Sequence, residues 1–339
     1  MMSISASGRL EGMAGLSFAL ALLASGACAR DEPEIYRIPL IGDRVFPEGI
    51  AAHSGSGEIF VGGLADGEIQ RIRDGEASLF KVSHSDGIKN AIGMAVDPVR
   101  DRLWVASTGF LSDGEIVISP DDLPEVLVFD SGSGELLGRF AVPHDGSPHF
   151  LNDIAVDGEG NAYITDSLAP TIWTIDAGLS GIEKFVEDPA LVIQEGFNLN
   201  GIAITPDQRY VMATIPGAPG ALFRISLDER EITEVSFDEA FRGADGLVFA
   251  DPERLIGVVG GLYLIELSDD YSRGRVVELP DFESMFDFAT TADVLDDRLY
   301  VVNSQLDHIV PMFENDAPPD VPFTITSVPL ELVLTGSGG

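Results

Sequence analysis

Basic residues are scarce in this sequence of 339 residues. Lys and Arg together number 20 against 56 Asp and Glu, which gives a formal net charge of −36 at pH 7. Nucleic-acid binding depends on clustered Lys and Arg that neutralise phosphates, and an anionic membrane surface attracts the same kind of cluster. No stretch of the chain carries such an excess. The sequence therefore excludes nucleic acid as a partner, and also a polybasic membrane patch.

Cysteine and histidine are scarce as well, with one Cys and five His in the whole chain. A disulfide framework or a Cys-based zinc site needs more thiols than this. Any metal bound by the protein would therefore be held by oxygen atoms or by His.

Long apolar runs are missing except near the amino terminus, where residues 13–24 (MAGLSFALALLA) follow Arg9 and precede the small residues 25–29. A dozen apolar residues are too few to span a bilayer, which takes roughly 20, but the arrangement is typical of a secretory signal peptide. We expect residues 1–29 to be a signal peptide cleaved after Ala29, or a lipoprotein signal that ends before Cys28. Either form of processing predicts an exported protein, secreted or periplasmic, without an integral membrane span. In the second form the protein is lipid-anchored through Cys28.

A repeat runs through the rest of the chain. Short apolar or β-branched runs are broken by Gly, Asp, Asn and Pro, which predicts an all-β fold. Six segments share a small or polar pair, an apolar run, a turn and a second apolar run; in each we mark the residue before the Gly-like position. The register marks are Glu48, Ile92, Asn152, Asn200, Asp245 and Phe288, and their mean spacing is about 48 residues. This period predicts a single six-bladed β-propeller domain with four-stranded blades over residues 30–339.

Two further features complete the predicted ring. The longest gap between marks holds an insertion over residues 110–122, which we expect to form a loop over one mouth of the channel. The run 323–333 is expected to pair with the strand that begins at Ile35, which would join the two ends of the domain.

Four register marks carry oxygen: Glu48, Asn152, Asn200 and Asp245. The first run of each repeat is interpreted as the innermost strand of a blade, so these side chains should converge on the channel axis. Two carboxylates and two amide carbonyls suit a hard cation such as Ca²⁺, which takes six to eight oxygens. The alternative is that the Asn and Asp side chains stabilise local turns and that Glu48 is solvated.

The same phrases carry a family resemblance. Residues 46–51 (FPEGIA), 152–157 (NDIAVD), 200–206 (NGIAITP) and 245–247 (DGL) resemble the senescence marker protein/gluconolactonase family. They equally resemble the wider set of six-bladed, calcium-dependent hydrolases that includes diisopropylfluorophosphatase and the paraoxonases. The resemblance extends over about residues 34–335 and implies a hydrolase of small-molecule lactones, esters or phosphotriesters.

Carried over by position, the resemblance makes Glu48, Asn200 and Asp245 metal ligands. Asn152 matches a residue that binds the substrate in the gluconolactonase-like members and the metal in the phosphotriesterase-like ones. Asp153 matches a position that belongs to the site in both. Asp245 is the candidate general base or nucleophile, and Asp153 is the competing base. The cation, most simply Ca²⁺, would polarise the carbonyl of a lactone or ester.

Two other residues are candidates for contact with a substrate. His149 stands three residues before Asn152; we favour a loop or structural role for it, with contact to the substrate as the alternative. Phe288, like Ile92, makes one side of the predicted site apolar, which suits a hydrophobic ester better than a sugar lactone.

Two rival functions stay open at this point. A non-catalytic propeller would use its channel mouth to bind a protein or a sugar. A strictosidine-synthase-like enzyme would share the architecture without a calcium site. Metal dependence separates both from the calcium-dependent hydrolase.

Overall fold

The computed structural model describes residues 34–112, 115–282, 284–313, 315 and 317–336. The predicted signal peptide and Cys28 lie outside the described residues. The described part belongs to the unit Pro33–Gly339, and within it no helix has the length and apolarity needed to cross a membrane.

The strands form six antiparallel blades, as the repeat predicts. Strand β1 (Tyr36–Pro39) comes first in the chain. Blade 1 has β2 (Pro47–His53), β3 (Glu58–Gly63), β4 (Ile69–Arg73) and β5 (Glu76–Lys81). Blade 2 has β6 (Asn90–Asp97) and β7 (Arg102–Thr108), then a small hairpin of β8 (Leu111–Ser112) and β9 (Glu115–Ile116), then β10 (Glu125–Asp130) and β11 (Leu136–Ala141). Blade 3 has β12 (Leu151–Val156), β13 (Ala162–Asp166), β14 (Thr171–Ile175) and β15 (Ile182–Glu187).

The second half repeats this arrangement with two variations. Blade 4 has β16 (Ile202–Ile204), β17 (Tyr210–Ile215), β18 (Ala221–Ser226) and β19 (Ile232–Glu234). Strand β20 (Ser236–Phe237) then adds in parallel to the outer edge of blade 5, which has β21 (Gly246–Phe249), β22 (Arg254–Val259), β23 (Gly261–Leu267) and β24 (Arg273–Glu278). Blade 6 has β25 (Ala292–Leu295), β26 (Arg298–Val302) and β27 (Thr324–Pro329), with β1 as its outer strand.

Helix is rare in the described part of the chain. One short α-helix, α1 (Leu330–Thr335), follows β27. Five 3-10 helices lie in the connections: Ser85–Gly87, Pro189–Leu191, Pro280–Phe282, Leu306–His308 and Pro311–Phe313.

Burial patterns explain why these runs are strands. Strands β3, β13 and β14 are buried along their whole length because neighbouring blades cover both of their faces. The outer strand β11 alternates between half-buried and exposed residues, as an edge strand with one solvated face does. Turn chemistry sets the register: β4 and β5 are joined by Asp74-Gly75, both at positive φ (52° and 78°), a two-residue turn that suits this pair.

The pairing of β1 with β27 closes the ring. Tyr36 pairs with Ser327 and Pro39 with Thr324, so the first strand of the domain completes the last blade. This confirms the predicted pairing for the first half of the run 323–333. The prediction is wrong for its second half, because Leu330–Thr335 is helical and packs its apolar side chains on the cluster around Val328.

Candidate functional site

The innermost strands all begin near the channel axis, and in blades 1 to 3 the pairing is interrupted there. The register of β2 shifts between Pro47 and Ile50, and that of β12 between Leu151 and Ile154. Glu48 and the Asn152-Asp153 pair occupy these irregular positions. A bulge of this kind redirects side chains out of the regular alternation of a strand, which frees them to face the axis.

Glycines allow the starts of these strands to approach each other. A Cβ on Gly93 would collide with the carbonyl oxygen of Asn152 in the next blade, and a Cβ on Gly201 would lie 2.5 Å from the carbonyl oxygen of Asp245. Only a residue without a side chain permits such backbone contact. The register marks of neighbouring blades are therefore packed against one another in a ring.

In blade 6 the residue equivalent to the other marks is Thr290, and the predicted mark Phe288 is two residues too early. The amide of Ser304 donates to Phe288 O (3.3 Å), as the amide of Leu64 donates to Phe46 O (3.0 Å) in blade 1. Phe46 lies two residues before the mark of its blade, and both Phe residues have positive φ (44° and 54°). The ring of Phe288 packs edge-on against that of Phe313, with centroids 5.0 Å apart.

Glu48 is a buried carboxylate of the ring. It is 6% exposed, and its Oε2 has no hydrogen-bond partner. Burial, and then the nearby carboxylates of Asp245 and Asp153, raise the pKa of Glu48 well above its ordinary value. An unpaired buried carboxylate is costly, so this atom is poised to accept either a proton or a cation.

Asp245 and the two Asn marks complete the predicted ligand set. Burial raises the pKa of Asp245 to about 7, although a hydrogen bond from the Asn200 side chain lowers it. The side-chain nitrogen of Asn152 donates to Ser167 Oγ (2.9 Å). This hydrogen bond does not use the side-chain carbonyl oxygen of Asn152. Asn200 and Asp245 are both partly buried. The chain thus supplies two carboxylates and two amides to this part of the ring.

Asp153 sits beside the ring and bridges two blades. Its Oδ1 accepts the amide hydrogen of Ile154 (2.8 Å), and its Oδ2 accepts that of Ile202 in blade 4 (3.2 Å). Burial is the largest cause of a rise in its pKa to about 7, and these two hydrogen bonds oppose the rise.

Asp293 in blade 6 accepts a similar pair of backbone hydrogen bonds. It accepts the amide hydrogens of Val294 and of Ala52 in blade 1, both at 2.7 Å, and burial raises its pKa to about 6. The residue lies within β25 in the blade opposite Asp153. The sequence analysis missed it, although an Asp in an otherwise apolar strand was a signal.

A cavity of about 320 Å³ lies along the innermost strands. Asp153 and Asp293 line it from opposite blades, and residues such as Ile50, Met94 and Leu247 supply apolar wall. The lining extends to Val156 and Phe249, the last residues of β12 and β21, so the cavity reaches the end of the channel where the inner strands finish. No basic residue is among the described residues that line it. The cavity therefore offers carboxylate oxygens to a ligand without any balancing positive charge.

The other end of the channel is covered by aromatic rings. Phe110, at the start of the predicted insertion, packs edge-on against Phe150 and Phe197, with centroids 5.2 and 6.1 Å away. Phe150 and Phe197 come just before the marks of blades 3 and 4. Asn90 Oδ1 accepts the amide hydrogens of Phe110 (2.7 Å) and Leu111 (2.9 Å), which holds the β8–β9 hairpin in place. The expectation of a loop over one mouth agrees with these contacts.

His149 lies in a buried network within blade 3. Its Nδ1 is 2.6 Å from Asp166 Oδ2, its Nε2 is 3.3 Å from Asp145 Oδ1, and its ring packs edge-on against Trp173. The hydrogen bond to Asp166 is the main cause of a raised pKa for His149, against the effect of burial. Because both ring nitrogens face carboxylates, this placement favours the structural role over contact with a substrate.

The predicted metal ligands are all oxygen donors. The described residues contain no group of three or more His, Cys, Asp or Glu side chains arranged to hold a metal ion. The predicted set is of a different kind, since two of its four members are amides. Oxygen donors of mixed charge, one of them an unpartnered buried carboxylate atom, are chemically suited to Ca²⁺.

Comparisons with known protein sequences match parts of this chain. The family model of the major royal jelly proteins matches residues 90–182. The uncharacterized protein YncE of Salmonella typhi is 26% identical over 145 residues, which are 42% of this chain and 37% of that protein. The match therefore spans little more than a third of the length of that relative.

Solved structures match over a larger share of the chain. The allergen Mala s 1 of Malassezia sympodialis has a TM-score of 0.68 at 15% identity, over 86% of this chain and 95% of its own. The gluconolactonase XC5397 of Xanthomonas campestris has a TM-score of 0.56 at 13% identity, over 88% and 90%. At such identities the likeness shows the fold, a six-bladed β-propeller that a gluconolactonase shares.

Proposed function

We propose that this protein is a metal-dependent hydrolase of a small lactone or related ester, with Ca²⁺ as the cation. The observation that carries the proposal is the buried Oε2 of Glu48, which has no partner and lies near two further carboxylates. A divalent cation would neutralise this concentration of negative charge and satisfy the free oxygen. The fold shared with a gluconolactonase supports the choice of reaction.

Four residues would hold the cation: Glu48, Asn152, Asn200 and Asp245. When bound, the cation supplies a Lewis acid that polarises a carbonyl group and stabilises developing negative charge on its oxygen. The Asn200 side chain donates a hydrogen bond to Asp245 and so fixes the orientation of that carboxylate. The bond from Asn152 to Ser167 fixes the Asn152 amide in the same way.

Asp153 is proposed as the general base. It lines the cavity, where a substrate and water can reach it, whereas Asp245 is not among the residues that line it. Hydrogen bonds from Ile154 and Ile202 hold the carboxylate in one orientation, and each of its oxygens keeps a lone pair for a water proton. In this assignment Asp245 acts as a ligand and Asp153 takes the proton from the attacking water.

The alternative is a non-catalytic propeller that binds a ligand through its channel. The lack of a group of three acidic or imidazole ligands among the described residues favours it. Such a protein would bind without turnover and without a need for calcium, as would be expected for a binding module on this fold.

The test is a substrate screen with and without calcium. Lactones, aryl esters and phosphotriesters are incubated with the purified protein in calcium, and the same compounds are incubated with protein that has been treated with a chelator. We expect hydrolysis of at least one lactone or ester, its loss on chelation, and its loss in Asn200→Ala and Asp245→Ala. Activity that survives chelation and both substitutions would refute the metal-dependent mechanism.

A second pair of variants tests the role of the base. Asp153→Asn should lower kcat by about 10²–10⁴-fold, the usual contribution of a general base. Asp293→Asn is the matched control, because Asp293 also lines the cavity and also accepts two backbone hydrogens. Equal losses in the two variants would show that Asp153 has no special part in proton transfer.

The predicted signal peptide, residues 1–29, lies outside the described residues. Secretion or a periplasmic location therefore stays a prediction.

A further inference from the structure

We propose that the hydroxyl group of Thr290 is a further oxygen ligand in the cation site. The inference rests on the proposed function, since it adds a fifth protein oxygen to the four already named. Thr290 stands two residues after Phe288, the residue that the sequence pattern predicts as the mark of blade 6.

Thr290 occupies the blade 6 position in the ring of register marks. A Cβ on Gly246, which follows Asp245, would lie 2.8 Å from the carbonyl oxygen of Thr290. On the other side, the hydroxyl of Thr291 donates to the carbonyl oxygen of Glu48. Thr290 therefore stands between blade 5 and blade 1, at the place in the ring between the two carboxylates proposed as ligands.

The strand register of blade 6 matches that of blade 5. Ala292 pairs with Val301 in blade 6 as Leu247 pairs with Gly257 in blade 5. Counting back two residues from each gives Thr290 and Asp245. Equivalent positions on equivalent strands direct their side chains alike, so the Thr290 side chain shares the direction of the Asp245 carboxylate.

The hydroxyl group of Thr290 is buried and has no partner among the described residues. Thr290 is 0% exposed, and its Oγ1 has no hydrogen-bond partner. A buried hydroxyl without a partner is unfavourable, and Val would fill the same space without that penalty. The neighbouring Thr291 shows the contrast, since its hydroxyl is bonded. A neutral oxygen held ready in the ring is the kind of donor that completes a calcium shell.

The equivalent pair of side chains in blade 3 is hydrogen-bonded. There the mark Asn152 donates to Ser167 Oγ, so the side chain at the mark is tied to its own blade. The counterparts in blade 6 are Thr290 and Ser304, whose amide bonds to Phe288 as the Ser167 amide bonds to Phe150. Neither hydroxyl in blade 6 has a partner. The oxygen of Thr290 is thus free for a ligand from outside the chain.

The experiment measures calcium binding directly. Isothermal titration of chelator-treated protein with calcium chloride is done for the wild type, Thr290→Val and Thr290→Ser, with unfolding temperature recorded in chelator. We expect Thr290→Val to bind calcium about ten- to a hundredfold more weakly and Thr290→Ser to stay within about threefold of the wild type. In chelator, Thr290→Val should be at least as stable as the wild type, because it removes an unpaired polar atom.

The outcomes separate this inference from the proposed function. Calcium binding by the wild type with equal affinity in Thr290→Val would overturn the role of Thr290 and leave the proposed function standing. No calcium binding by the wild type would overturn both. If Thr290→Val does not fold, Thr290→Ala replaces it, and the same comparison with Thr290→Ser decides. A loss of stability in chelator with unchanged affinity would mark a structural role and would also overturn the inference.

Discussion

Removing calcium should make the stability of this protein depend on pH. In the metal-free fold the pKa of Asp153 and that of Asp245 are both raised to about 7, from 3.8 for an ordinary Asp. A carboxyl group whose pKa is raised by folding favours the protonated form in the fold. Its contribution to stability is complete below about pH 4 and is lost as the pH rises toward 7.

The size of the effect follows from the shifts. Each group alone corresponds to a loss of about 4 kcal/mol at pH 8 relative to low pH, of which about 2–3 kcal/mol falls between pH 5 and pH 8. Both residues are partly exposed to solvent, which screens part of this cost. We therefore expect the free energy of unfolding to fall by about 2–4 kcal/mol for the pair across this interval. Calcium should restore it, because a bound cation stabilises the ionised carboxylates.

Scanning calorimetry at pH 5 and pH 8, in chelator and in calcium, measures this directly. The calcium-induced rise in Tm should be larger at pH 8 than at pH 5. The double variant Asp153→Asn/Asp245→Asn should lose the part of the pH dependence that these two groups supply, so its fall in chelator should be smaller than that of the wild type. Glu48 and Asp293, whose pKa values are also raised, keep the rest. The exposed-site control Asp176→Asn should fall as the wild type does. A chelated wild type whose Tm does not fall between these pH values would refute the reasoning, and so would an equal fall in the double variant.

Three further predictions concern packing around the site. His149→Gln should lower the free energy of unfolding by about 1.5–3 kcal/mol at pH 6 and by less at pH 8. The ion pair of His149 with Asp166 contributes fully below about pH 6.5, and its contribution is lost as the pH rises through the raised pKa of His149. Equal losses in urea unfolding at the two pH values would contradict the pairing. Gly93→Ala should lower stability by about 1–3 kcal/mol, because its Cβ would collide with β12, while Gly132→Ala, with nothing nearer than 3.5 Å, should stay within about 0.5 kcal/mol. Phe110→Ala should lower the free energy of unfolding by about 3 kcal/mol or more, because it removes the contacts of the Phe110 ring with Phe150 and Phe197. An unchanged Tm would show that these aromatic contacts add nothing to stability.

The fold was predictable because one pattern recurs at nearly constant spacing. Each blade repeats a turn and two buried runs, and burial between neighbours keeps those runs apolar. The starts of the inner strands were predictable for the same reason at Glu48, Asn152, Asn200 and Asp245. That these four side chains bind a cation stays a prediction.

Blade 6 shows where the sequence pattern is insufficient. Asp287-Phe288 resembles the polar pairs of the other repeats, but Phe288 is the counterpart of Phe46, two residues before the mark, and both residues have a left-handed backbone conformation. No propensity scale assigns that conformation to Phe. The run 330–333 alternates apolar and polar residues like a strand, yet it forms the first turn of α1 after Pro329. Short apolar runs of this kind fit both the 3.6-residue period of a helix and the two-residue period of a strand.

The closure of the ring has a consequence for the order of events in folding. Strand β1 finds its partner, β27, only after nearly the whole domain has been synthesised, and Glu48 meets the hydroxyl of Thr291 across 243 residues of chain. Contacts of such separation form late and slowly. The ring of carboxylates is therefore complete only in a fully closed molecule. A ligand that binds this ring would favour closed molecules over open ones by mass action. Its binding would therefore stabilise the contact between the two ends of the domain.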